Sequence, residues 1–217
     1  MQRRWVPMRY VTHTLTLVLV LVLGFLVGAR YQRVLDNVEG LHTLTAVQKN
    51  KISELSAVNE HLASVVRLRE ILADNRIYLS RSNVEGMASR VEQVSHKYGV
   101  GPEMIYAVIR AESSFDPMAR SDRGAVGLMQ LLPSTAREVA AQMNIQWTDD
   151  RILWDPMTNI EMGTYYLRTL LTRFDNMEVA LAAYNQGPNR IAALQAIQAT
   201  LPMDYPERVL SALTERN

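Results

Sequence analysis

The chain has 217 residues, room for one domain of ordinary size plus additional segments, and a formal net charge of +1. That charge is uneven: residues 1–82 carry eleven Lys/Arg against six Asp/Glu, while residues 83–217 carry twelve against sixteen. A mildly acidic C-terminal part excludes nucleic acid as its main partner, because phosphate binding needs a basic face. The absence of cysteine excludes disulfides, Cys-ligated zinc, a cysteine nucleophile and a lipidated N-terminal cysteine.

Arg3, Arg4 and Arg9 precede an apolar run over 11–29, interrupted only by His13 and threonines near one end. Nineteen residues of helix span roughly 28 Å, about the thickness of a bilayer's hydrocarbon core. The run exceeds the usual apolar region of a signal peptide, so residues 1–29 are expected to be an uncleaved membrane anchor. Val27-Gly28-Ala29 nevertheless has the small residues of a cleavage site, which keeps the signal-peptide reading open. Arginines on both sides favour a cytoplasmic N-terminus only slightly.

From Arg30 to Leu79 there is no proline and one glycine, Gly40. A heptad frame places Val34, Val38, Leu41, Thr45, Gln48, Ile52, Leu55, Asn59, Leu62 and Val66 at successive a and d sites. Residues 30–82 are therefore read as a helical spacer of roughly 75 Å. It is either a coiled coil that pairs two copies into a homodimer or one amphipathic helix packed on its own catalytic domain.

After Ser80-Arg81-Ser82-Asn83 and Gly86 the periodicity is helical throughout. Helices are expected over 87–98, 102–113, 135–143, 157–174, 177–186, 188–198 and 205–213. Gly99, Pro102, Ser134 (as an N-cap) and Gly187 are expected to punctuate them. No stretch alternates as a strand does. Residues 83–217 should thus form an all-α domain.

Within 102–113, Ile105, Val108, Ile109 and Glu112 lie at i, i+3, i+4 and i+7, so Glu112 continues an apolar stripe. A carboxyl at the end of a buried face is desolvated and kept protonated near neutral pH, as a general acid must be. Taken alone, Glu112 reads more readily as a helix-end residue paired with Arg110 or Arg120, since ion pairs far outnumber catalytic acids. The loop that follows, 121–130, holds Gly124 and Gly127 and leads through Pro133 into the next helix.

In combination, Glu112-Ser113, then Gly127-Leu128-Met129-Gln130, then Ala183-Tyr184-Asn185 resembles the Slt-type lytic transglycosylases, relatives of goose-type lysozyme in glycoside hydrolase family 23. Pro133-Ser134-Thr135-Ala136 and Asn159-Ile160-x-x-Gly163 fit as well. The resemblance runs from about Val91 to Val209 and covers neither anchor nor spacer. It implies a lysozyme-like helical catalytic domain that cuts the glycan strands of peptidoglycan, with Glu112 as the single acid/base. It implies further that Ser113 orients the adjacent turn and that Ser121 lies near the reaction centre. Met129 and Gln130 would line the glycan cleft, the Gln130 amide meeting sugar N-acetyl groups. Tyr184 would bring its hydroxyl near Glu112, and Asn185 would hold backbone or sugar. Tyr205 resembles the family's late aromatic, although Pro206 departs from the pattern, and a half-exposed packing role stays open.

Trp147 and Trp154 flank Asp149-Asp150-Arg151 and read as core anchors, with sugar stacking as the alternative. Asp149 and Asp150 make a poor metal site without further ligands, and His13, His42, His61 and His96 fit no hydrolase triad. Neither metal nor organic cofactor is implied.

Glycosidases usually need two carboxylates, and one is found here. The family resolves this with the substrate. The resemblance implies that Glu112 would protonate the oxygen linking N-acetylmuramic acid to N-acetylglucosamine, the 2-acetamido group would support the anomeric carbon, and the C6 hydroxyl would attack to close a 1,6-anhydro ring. The expectation is a single-pass enzyme of the bacterial inner membrane with its catalytic domain in the periplasm. Alternatives are a hydrolytic muramidase using Asp116 or Asp122, and a non-catalytic tether that binds peptidoglycan for a membrane complex.

Overall fold

The computed structural model describes residues 8–214. All regular structure there is helical. α1 spans Met8–Asp74, α2 Arg81–Tyr98, α3 Pro102–Ser113, α4 Pro133–Gln142, α5 Pro156–Phe174, α6 Met177–Gln186, α7 Pro188–Ala196 and α8 Asp204–Thr214, with a 3-10 turn at Asp150–Trp154 between α4 and α5. The only β-type pairing among the described residues is two isolated bridges, Arg120–Val126 and Val126–Leu131.

Helix ends follow the local chemistry. The Ser80 hydroxyl accepts from the Asn83 N–H and starts α2 six residues earlier than the periodicity suggested. Gly99 ends it in the left-handed conformation, at φ 65°. Prolines open α3, α4, α5 and α7, where their missing N–H costs nothing. Ser134 is not an N-cap: Pro133 already occupies the first turn of α4, and Leu132 precedes it without a side-chain cap. The Asp155 carboxylate caps α5 through the Thr158 N–H, and Asn176 caps α6 through that of Val179.

The chain divides into two compact units, Met1–Val58 and Asn59–Asn217. In the first, the described side chains of α1 are exposed apart from the partly covered Ala29, and Val34, Val38, Leu41, Ile52 and Leu55 of the heptad frame stay in contact with solvent. This stretch includes one segment long and apolar enough to cross a membrane, a test that a signal sequence also passes.

The second unit takes in the last turns of α1. Val65, Leu68, Ile71 and Leu72, at i, i+3, i+6 and i+7, are buried in the same core as α2, α3, α6 and α8. Ser64 meets the Tyr106 hydroxyl at 3.4 Å, and Arg67 pairs with Glu103 of α3. The boundary expected between residues 82 and 83 therefore falls inside this unit. α5 lies along α2 and α6, and α8 packs on α3 and α6. A smaller cluster of Val126, Leu131, Ala136, Val139, Ala140, Leu153 and Met162 holds the segment between α3 and α5, with Trp147 and Trp154 packed against it.

Candidate active site

The catalytic candidate stands where α3 runs out. Met104 through Ile109 are all buried, and Glu112 follows on the same face, half-buried. α3 then stops abruptly, since Ser114 and Phe115 both take left-handed backbone, at φ 51° and 64°. A bulky residue rarely adopts that conformation, and burial of the Phe115 ring against Tyr106 (centroids 6.5 Å apart) offsets the strain.

The turn throws the chain into the loop that faces Glu112. The loop is held by its own backbone: Gly127 N–H donates to Ala119 O at 2.9 Å, and Val126 and Leu131 exchange bonds of 3.0 and 3.1 Å. Ser113 ties it to α3, its hydroxyl shared between the carbonyls of Ile109 (3.1 Å) and Leu128 (2.9 Å). Ser121 Oγ accepts the Ala125 N–H at 3.0 Å.

Beneath the loop lies Asn159 of α5, fully buried and fully bonded. Its Oδ1 accepts the Met129 N–H at 2.8 Å, and its Nδ2 donates to Val126 O and Leu153 O at 2.9 and 3.0 Å. The fit leaves no room for substituents. A Cβ on Gly127 (φ 81°) would collide with the Asn159 amide, and one on Gly163 would lie 2.7 Å from the Met129 Cβ.

A cleft of about 290 Å³ opens between the loop and α6. Glu112, Ser121, Arg123, Gln130, Thr135, Tyr166, Tyr184 and Asn185 contribute to its walls, and Glu112 is the single carboxyl among the described lining residues. Asp116 and Asp122 are not part of that lining. The Asp116 carboxylate instead accepts the Met118 N–H at 2.8 Å, closing a turn.

Tyr205, from α8, donates its hydroxyl to Glu112 Oε1 at 2.6 Å. The Glu112 carboxyl is pushed up to about 7, chiefly by burial. The Tyr205 hydrogen bond and the positive charge of Arg208 both pull the other way, because each favours the anion. Burial drives the phenols of Tyr184 and Tyr205 well above their ordinary range, so both remain donors.

Six of the seven site residues named from sequence thus touch one cleft or its acid: Glu112, Ser121, Gln130, Tyr184, Asn185 and Tyr205. Their contacts define what each one holds, and Met129 alone departs from its expected place. The hydroxyl on Glu112 is that of Tyr205, whereas Tyr184 donates to Met129 O at 2.8 Å and so braces the loop. The Met129 side chain does not line the cleft. It is fully buried against Gly163, with its sulfur 3.9 Å from the Thr164 hydroxyl. Gln130 reaches the cleft, but its amide nitrogen donates to Ala119 O and Gly127 O at 3.0 and 2.9 Å, holding the loop. Asn185 Oδ1 accepts from Gln186 Nε2 at 2.7 Å.

Asn159 and Tyr166 escaped the sequence reading as parts of the site. Tyr166 of α5 lines the cleft with its ring 5.3 Å from that of Tyr184. A lone Asn inside an apolar helix was the available signal for Asn159, since such a residue needs buried partners. Asp149 and Asp150 are each ion-paired, with Arg151 and Arg137, and the Arg137 guanidinium lies 5.7 Å from the Trp147 ring centroid.

Comparison with known proteins matches residues 89–203 to the Transglycosylase SLT domain. The soluble lytic murein transglycosylase of Salmonella typhimurium is 33% identical over 120 residues, covering 54% of this chain and 18% of that protein. The membrane-bound lytic murein transglycosylase C of Shigella sonnei is 37% identical over 142 residues, covering 58% and 40%. Among solved structures, an inactive mutant of lytic transglycosylase Slt from Pseudomonas aeruginosa is 32% identical with a TM-score of 0.48, covering 57% of this chain and 20% of that one. The chain therefore spans less than half the length of these relatives. The matched segment contains the acid, the loop and the Tyr184 helix, and takes in more than half of the sequence. By that measure the chain belongs to the Transglycosylase SLT domain family.

Proposed function

We propose that this chain is a peptidoglycan lytic transglycosylase in which Glu112 serves as both acid and base. The observation that carries the reading is a lone carboxyl, titrating at about 7, in a cleft with no second carboxyl among its described lining residues. Protonated Glu112 gives its proton to the glycosidic oxygen between N-acetylmuramic acid and N-acetylglucosamine, and the bond from that oxygen to the anomeric carbon breaks. The 2-acetamido oxygen supports the positive charge left on that carbon. Ionised Glu112 then takes the proton of the C6 hydroxyl, whose oxygen bonds to the same carbon. The ring closes without consuming water. An intramolecular hydroxyl enjoys a very high effective concentration, so no protein-held water or second base is required.

Tyr205 steadies the carboxyl through both protonation states, and the buried bonds of Asn159, Tyr184 and Gln130 fix the loop that forms the opposite wall. The apolar part of α1 would anchor the enzyme in the inner membrane with this unit in the periplasm, in keeping with the membrane-bound relatives. The exposed seam from Val34 to Leu55 would be the face along which a second copy pairs.

Mass spectrometry of muropeptides released by the purified protein tests the reaction. Products ending in 1,6-anhydro-N-acetylmuramic acid, one water lighter than hydrolysed ends, are expected. Reducing ends would establish a hydrolytic muramidase instead, and no release at all would leave only a wall-binding tether.

A further inference from the structure

Burial alone would make Glu112 a reluctant acid, because it penalises the anion that must exist once the proton has left. The structure contains two groups that oppose the penalty, and they share one helix. Tyr205 and Arg208 stand one turn apart on α8. The Arg208 guanidinium lies over the Tyr205 ring, 5.3 Å from its centroid, and the Tyr205 hydroxyl is 2.6 Å from Glu112 Oε1. A cation on a ring face draws electron density from the phenol and strengthens its O–H as a donor, while its charge also acts on the carboxylate.

The other charged or titratable side chains around the acid have different roles. Arg123 belongs to the cleft wall, and the hydroxyl of Tyr184 on α6 is committed to Met129 O. Arg208 does not line the cleft. It borders a separate polar hollow with Asn75, Arg110 and Ser114, so it reaches the reaction only through its neighbours.

We propose that Arg208 is a positioning residue for the acid: it clamps the Tyr205 ring in place against Glu112 and stabilises the carboxylate formed when the proton is donated. This deepens the reading of Glu112 as acid/base and rests on it. Bond making is unchanged, since the proton still passes from Glu112 to the glycosidic oxygen and returns from the C6 hydroxyl.

The test uses the full chain and three substitutions, Arg208→Gln, Arg208→Met and Arg208→Lys. Two readouts are taken: the pH profile of kcat/KM on peptidoglycan, and the ¹³C-NMR titration of the Glu112 carboxyl, identified by its loss in Glu112→Gln. Loss of the charge should move the Glu112 titration and the alkaline limb of the profile up by roughly 0.5 pH unit or more. It should lower kcat a few-fold with KM unchanged. Arg208→Met, which keeps an apolar stem over the ring, should shift the titration as Arg208→Gln does, and Arg208→Lys should restore most of the wild-type behaviour. An unmoved Glu112 titration in both uncharged variants overturns the proposal, as does a lysine variant no better than the glutamine one. A wild-type chain with no turnover but a Glu112 titration that depends on Arg208 would sink the enzymatic reading and leave the electrostatic coupling standing.

Discussion

A carboxyl that titrates near 7 weakens the fold wherever it is ionised. The folded pKa of Glu112 lies above its unfolded value, so the native state holds the proton more tightly. Its contribution is therefore full below about pH 4.5 and is lost as pH rises through 7. Glu112→Gln removes that dependence. Thermal unfolding across pH 4–8 should show the two proteins nearly equal near pH 4, with the variant gaining from there to pH 7 and the difference constant above it. The gain is at most about 3 kcal/mol at 1.36 kcal/mol per pKa unit. Cleavage should fall by roughly 10²–10⁴-fold, as expected for loss of a general acid. Full activity in the variant would remove Glu112 from the chemistry. Glu112 was legible as a candidate because its position on the α3 stripe is a local property, while only the resemblance gave it the role of acid. Its hydroxyl partner was not, because 93 residues separate Tyr205 from Glu112, and no spacing rule tells which of two family tyrosines reaches the carboxyl.

At the level of elements, α5 governs the loop through two positions on one face. Asn159→Ala would leave the Met129 N–H buried without its acceptor, at about 1–3 kcal/mol for a stranded group, and would take one donor each from the Val126 carbonyl, which keeps the Leu131 N–H, and the Leu153 carbonyl. Gly163→Ala would press a methyl into Met129 and cost about 1–3 kcal/mol by overpacking. Both should lower the unfolding midpoint in urea and reduce activity while leaving the pH of the Glu112 titration in place. A variant as stable as wild type would show that the loop holds itself. Several helix ends were readable to the residue because Pro102, Gly99 and Gly187 act through backbone geometry that needs no tertiary partner. The 3-10 turn at Asp150–Trp154 was not, since it is short and pinned by Leu153, whose carbonyl meets Asn159 and whose side chain fills the smaller cluster.

For the whole molecule, the decisive question is where the catalytic unit begins. A chain starting at Asn59 retains Val65, Leu68, Ile71 and Leu72 and should fold with an unfolding temperature close to that of the full protein. One starting at Asn83 loses all four. At roughly 1.5–3 kcal/mol for each buried side chain, that loss is comparable with the ~5–15 kcal/mol that stabilises a typical domain. Circular dichroism of the two truncations decides the matter, and equal melting would show those residues to be dispensable. The heptad pattern hid this junction, because Leu62 and Val66 continue the exposed seam while Val65 and Leu68 turn inward. If α1 is an anchor, the full chain should also stay in the membrane pellet through high-salt and carbonate washes, and a soluble form beginning at Arg30 would show cleavage after Ala29.

α8 follows every other described helix along the chain, so it leaves the ribosome after them. During synthesis the acid emerges long before the phenol that donates to it. Until then Glu112 lacks both the Tyr205 hydroxyl, 2.6 Å from its Oε1, and the charge of Arg208. Both groups favour the anion, so a carboxyl without them gives up its proton less readily than it does once α8 is in place. On the proposed reading, a nascent chain, or one cut short by a premature stop before Asp204, would carry the carboxyl, loop and cleft yet cleave poorly. On that reading, the docking of α8 completes the acid.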